Sequence, residues 1–284
     1  FCDHETKLPV LSLVVELHKA SKVYANFIEH PTPSAGTVDR LALFAYRTGV
    51  LESEVIKPLI LCLFDPQQQP LPEEQIAKAL DVVESWMVRR MLVRASTKSY
   101  TQIVAELITQ LRSTNRAMAG TTVERFFAGQ KTDSRYWPDD AEIRNQLKSF
   151  PAYRRLSRAR LRMILEAIED YKRGWKQGKV GLGGERVARG TYAIEHIMPR
   201  KWHTHWPLTG MPDEETEREA NLHTIGNLTL LTGHLNSKVS NGPWVGEFGK
   251  RNGLKSHDVL LVNREICEAE EWSVNSIQSR SFEL

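Results

Sequence analysis

The chain has 284 residues, 41% of them hydrophobic and 26% charged, and a formal net charge of +3. That balance fits a soluble globular protein with room for one large domain or two ordinary ones. The longest apolar run, LILCLF at 59–64, is far below the roughly 18 residues a membrane-spanning helix needs, and Cys2, Cys62 and Cys267 lack any CxxC spacing, which excludes a disulfide framework or a thiolate zinc cage.

Helices are predicted for most of the first 170 residues. Segments 8–29, 37–48 and 51–64 come first, separated by HPTPSAG and ended by DPQQQPLP. Ile76, Leu80, Val83, Met87 and Met91 then recur at steps of four and three, the period of one helix face. PEEQ starts that helix with a proline and acidic residues, and Arg89, Arg90 and Arg94 close it. Ser99 is expected to cap a second helix whose stripe is Ile103, Val104, Leu107, Ile108 and Leu111. A third should run over 153–172, with Leu161, Ile164, Leu165 and Ile168 inward and Arg155, Arg158 and Arg162 outward.

The glycine-rich stretch 174–190 has no sustained periodicity and reads as a loop and a seam. Two short runs of strand character follow, TYAIEHI (191–197) and TIGNLTLL (224–231). After the second, Thr232 is a cap for a short helix in TGHLNSKVSN. Residues 256–284 read as helical again. The fold class expected is mainly α with a small ββα module, α+β overall, divided into a helical region at 1–173, the module at 174–250 and a helical tail at 251–284 packed on it.

The opening FCDHETKL has no initiator methionine and no basic segment leading into an apolar one, so no secretory signal is expected and a further N-terminal portion is. From 151 to 210 the chain holds thirteen Lys and Arg against five Asp and Glu. Such a concentration suits a polyanion, although the acidic run DEETERE at 213–219 could balance it as an ordinary solvated surface.

In EHIMPRKWHTHWP (195–207), His196 is the candidate base, because an imidazole with an unperturbed pKa of roughly 6.5 is mostly neutral near pH 7. Neighbouring strand residues face opposite ways, so Glu195 and His196 reach one site only if the strand ends there, which Pro199 makes reasonable. His203 and His205 alternate as in a strand and could hold zinc, but spacing fixes no third ligand. His223 and His234 flank the second strand run and can line a site. Trp202, Trp206 and Trp244 read as core plugs.

Taken together, EHIMP, GNLTLL and N-S-K resemble an HNH nuclease, whose ββα fold holds one metal ion. The wording IEHIMPRKW...LHTIGNLTLLTGHLNSKVSN is similar to the C-terminal nuclease domain of GmrSD-type modification-dependent restriction proteins and their phage-defence relatives, including a phosphorothioation-linked branch. A looser likeness in ESWMVRRML (84–92) extends the resemblance along the helical region. The resemblance implies that Glu195 and Asn236 hold Mg²⁺ or Mn²⁺, that His196 is the general base and that Asn227 holds it in place. Lys238, Arg200, Lys201, Arg158 and Arg162 would contact phosphate. It further implies a nicking endonuclease acting on double-stranded DNA of phage origin in the bacterial cytoplasm, with a modification-sensing domain N-terminal to this chain and no membrane partner. Two other readings stay open: a DNA-binding module with a relic site, and a zinc hydrolase. RNA is a further candidate substrate.

Overall fold

A computed structural model describes residues 9–28, 40–174, 188–210, 212–247, 249–257 and 260–284. The chain is mainly helical and forms two units, one through Asp139 and one from Asp140 onward. The two units divide at 139/140, and residues 175–187 of the glycine-rich stretch lie outside the described residues. Among the described residues, no helix is long and apolar enough to cross a membrane.

The first unit contains α1 (Val10–Ile28), α2 (Arg40–Val50), α3 (Lys57–Leu63), α4 (Glu73–Leu92), α5 (Tyr100–Ser113) and α6 (Ala119–Ala128). The predicted stripes of α4 and α5 supply its core: Leu80, Val83 and Met87 meet Ile103 and Leu107, with Trp86 between Tyr100 and Phe127 at ring distances of 4.4 and 4.7 Å. Glu73 and Glu74 open α4 beside the helix-start partial charge. Arg90 does more than close the helix. It is fully buried and donates to the carbonyls of Ser96, Ser134 and Tyr136 at 2.7–2.9 Å, tying two loops to α4. Ser99 precedes α5 without a side-chain capping bond. Helix α6 was not foreseen; it packs against α4 so closely that a Cβ at Gly120 would collide with the Gln75 carbonyl.

The second unit opens with α7 (Asp140–Ser149), α8 (Ala152–Arg155) and α9 (Arg158–Lys172). The single helix expected over 153–172 is broken because Leu156 is extended and Ser157 starts a new helix, its hydroxyl accepting from the Arg160 amide. The apolar face of α9 is inward as predicted at Leu161, Ile164 and Leu165. Its acids are inward too. Glu169 accepts the Leu261 and Val262 amides, Glu166 accepts the Gly190 amide, and Asp170 pairs with buried Arg189 at 2.5 Å. These bonds fix the chain leading into the first strand and the turn at 261–263.

Strand β1 (Ala193–His196) pairs antiparallel with β2 (Leu228–Leu231), Glu195 opposite Thr229 and His196 opposite Leu228. Two strands alone are marginal in water. Here β2 is wholly buried, with α9 and the 261–263 turn packed against it. Between the strands lie a 3₁₀ turn at Trp202–Thr204 and α10 (Glu214–Asn221), so DEETERE forms a helix and His203 does not sit in a strand. Helix α11 (Gly233–Val239) follows β2, with Thr232 capping the Leu235 amide as expected. Then come α12 (Lys250–His257), α13 (Arg264–Glu268) and α14 (Val274–Glu283). The tryptophans read as core plugs are such: Trp202, Trp206 and Trp244 join Trp272, Leu235, Ile266 and Ile277 in one apolar cluster.

Candidate active site

Asn227 organises the exit from β1. It lies in a 3₁₀ turn immediately before β2, not in the strand itself, and is fully buried. Its Nδ2 donates to the carbonyls of Met198 and Leu222, both at 2.9 Å, while Oδ1 accepts from the Met198 amide at 2.8 Å and the Trp272 indole at 3.1 Å. Every polar atom of the amide is therefore satisfied by backbone or indole, and the chain after His196 is held in one conformation. From the other side, Arg280 on α14 donates to the Gly226 and Leu228 carbonyls at 2.7 and 2.8 Å. Gly226 itself is required: a Cβ would run into the Ile277 carbonyl and the Ser281 hydroxyl.

Strand β1 ends at His196, and there Glu195 and His196 each meet their own group of polar residues. Beside Glu195 is Lys250, only 1% exposed, whose ammonium bonds Glu195 Oε1 at 2.5 Å and the His196 carbonyl at 2.7 Å. Burial pushes the Lys250 pKa down and the Glu195 carboxylate opposes that shift. Asn236 is carried on α11, which packs against β1. Its Oδ1 is buried and has no hydrogen-bond partner among the described residues.

The surroundings of His196 are aromatic and basic. His196 and His223 are both buried, and His196 Nε2 lies 3.1 Å from His223 Nδ1. The Tyr153 ring stands edge-on to His196 at 4.3 Å and stacks nearly parallel on His223 at 5.7 Å. Tyr153 is itself pinned, its amide donating to the His223 carbonyl at 3.1 Å and the Arg158 guanidinium covering its ring at 3.3 Å from the centroid. Arg200 lies 6.0 Å from the same ring. Burial, followed by His223 and the charges of Arg200, Lys250 and Arg158, holds the His196 pKa down at about 3. Burial and Arg154, Arg200 and Arg158 lower that of His223, with Glu219 opposing. Two neutral imidazoles thus sit under a rim of arginines, an arrangement that favours an approaching anion.

Of the basic residues singled out in the sequence, Arg158, Arg200, Lys201 and Lys238 are exposed. Arg162 is half-buried and donates Nε to the Tyr192 carbonyl at 2.7 Å, bracing the approach to β1. His203 stacks on Trp202 and lies 3.5 Å from Glu215. Both His203 and His205 are exposed, and among the described residues no group of three or more His, Cys, Asp or Glu could hold a metal ion. Sequence reasoning missed Lys250, Tyr153 and Arg154. The run PAYRR pointed toward the last two, whereas nothing in GKRNG points to a buried lysine.

No curated protein and no solved structure matches the chain. The family model of GmrSD restriction endonucleases, C-terminal domain, matches residues 137–284, so ESWMVRRML at 84–92 lies outside the matched part. The match takes in all of α7 to α14, with both strands and the polar groups around Glu195 and His196, and covers more than half of the chain, which therefore belongs to the GmrSD restriction endonuclease C-terminal domain family.

Proposed function

We propose that the chain is a divalent-cation-dependent DNA endonuclease of the HNH type, with His196 as general base. The observation that carries this reading is the order strand, strand, helix, with His196 ending β1, Asn227 entering β2 and Asn236 on α11. Burial and the surrounding cations keep His196 uncharged at neutral pH, the form that accepts a proton. A pKa of about 3 makes it a weak base in the free chain. A phosphate docked among Arg154, Arg158 and Arg200 offsets their charge and brings its own, so that proton uptake at His196 becomes easier as substrate binds.

The donors available suit Mg²⁺ or Mn²⁺. Glu195 is engaged by Lys250 through Oε1, and the buried Asn236 Oδ1 is an amide oxygen without a partner among the described residues; both are hard oxygen donors. Glu195 and Asn236 would hold the cation, which when bound supplies Lewis-acid stabilisation of the phosphate and the leaving oxygen. Lys250 fixes the Glu195 carboxylate, and Asn227 fixes the backbone that presents His196. Arg200, Lys201, Arg158 and Lys238 hold the duplex by its phosphates, which confers affinity without sequence preference. One such site cuts one strand per encounter, so nicked duplex is the product, and phage DNA in restriction is the setting this family suggests.

A supercoiled plasmid tests the reading. Nicking is expected with Mg²⁺ or Mn²⁺, abolished by EDTA, and lost in His196→Ala and Glu195→Gln variants whose melting transitions persist. Wild-type protein no faster than His196→Ala would overturn it, and retained DNA binding in that case would favour a relic site.

A further inference from the structure

The second buried histidine has no place in the mechanism above, yet its geometry bears directly on the base. We propose that His223 is a positioning residue that fixes the tautomer of His196, donating no proton to substrate but accepting the Nε2–H of His196 at its own Nδ1. This rests on the nuclease reading for its catalytic consequence.

The contact is 3.1 Å between His196 Nε2 and His223 Nδ1, with the two rings nearly perpendicular at 82°. Between two neutral imidazoles only one of those nitrogens carries the hydrogen. If His223 Nδ1–H were the donor, His196 Nε2 would be the acceptor and the His196 hydrogen would sit on Nδ1. Neither nitrogen would then be available to take a proton from water. If His196 Nε2–H is the donor, its Nδ1 lone pair stays outside this contact and can take the proton. Only the second assignment leaves a base.

That assignment also favours the charged state. When Nδ1 takes a proton from the attacking water, the positive charge spreads over the ring and the Nε2–H donated to His223 becomes a charge-assisted bond. The bond is stronger after proton transfer than before it, and that difference is what accelerates the step. His223 must stay neutral to accept, and its burial, with the charges of Arg154, Arg200 and Arg158, favours that form. Tyr153 holds the pair in register, parallel to one ring and edge-on to the other.

The test uses the full chain with ¹⁵N-labelled histidine and reads the ring-nitrogen shifts of His196 beside plasmid nicking. His196 is expected as the Nε2–H tautomer in wild type. In His223→Leu it should become a mixture, and kcat should fall by about 10²-fold, the low end of what a correctly protonated base contributes, with KM within about 3-fold. His223→Asn offers an oxygen near the Nδ1 position and should recover most of the loss, whereas a merely structural defect would move neither the ring shifts nor kcat in this pattern. A wild-type Nδ1–H tautomer overturns the proposal, as does a His223→Leu chain that keeps Nε2–H and nicks at the wild-type rate. A wild type that never nicks, with a His196 tautomer still dependent on His223, would sink the nuclease reading and leave the positioning intact.

Discussion

Replacing Asn227 by alanine removes one side chain and strands four buried groups: the Met198 amide and carbonyl, the Leu222 carbonyl and the Trp272 indole N–H. A buried polar group that loses its partner costs about 1–3 kcal/mol. At the low end of that range the four together cost about 4 kcal/mol, a large share of the roughly 5–15 kcal/mol that holds a domain folded. Urea denaturation followed by tryptophan emission reads the effect, since Trp202, Trp206, Trp244 and Trp272 are all buried in the cluster beside the site. The transition reported by those indoles should move to much lower urea at unchanged slope. Asn227→Asp should fall the same way, because it turns an oxygen toward two carbonyls. A loss below about 1 kcal/mol for Asn227→Ala would refute the idea that this amide holds the strand exit, given the magnitudes for unmade buried hydrogen bonds.

The pH dependence of stability has a definite sign. The folded pKa of His196 is pushed down to about 3 against roughly 6.5 unfolded, so its contribution is complete above 6.5 and is lost as pH falls from there toward 3. The stability advantage of wild type over His196→Gln should shrink by about 1.4 kcal/mol per pH unit across that window, and a constant difference from pH 7 to 4 in urea melts would contradict it. Asp170→Asn leaves buried Arg189 without its charge partner and should destabilise the second unit by about 3–5 kcal/mol, whereas the double variant Asp170→Leu/Arg189→Met should regain most of that in thermal melts. Gly226→Ala forces α14 away from the turn before β2 and should cost about 3 kcal/mol, toward the upper end for overpacking, with nicking lost in parallel; wild-type stability in the alanine variant would show that the turn adapts.

Periodicity made α4 and α5 legible, because each buries a continuous apolar face at helical spacing. Thr232 was legible as well, since capping is local: the bond it makes spans three residues. Where the reading failed, the deciding partner lay far along the chain or reversed an average tendency. Glu166, Glu169 and Asp170 look like the solvated side of a helix, yet each is buried because residues 189–190 and 261–262 bring amides and a guanidinium to them. Lys250 meets Glu195 across 55 residues, and no local pattern marks it. Asn227 was placed in a strand because GNLTLL is β-rich, but its side chain serves the turn that precedes β2. His196 stood out from its motif alone, whereas the bond to His223 depends on a fold that brings residues 27 apart into contact.

The brace that Arg280 places on the Gly226 and Leu228 carbonyls bears on when activity can begin during synthesis. A ribosome that has just released α11 has delivered the side chains at 195, 196, 223, 227 and 236, but not the guanidinium that clamps the turn before β2, nor the indole of Trp272 that completes the Asn227 network. For the nuclease proposed above this order acts as a delay: the turn before β2 stays unbraced in every nascent or truncated chain that stops short of α14.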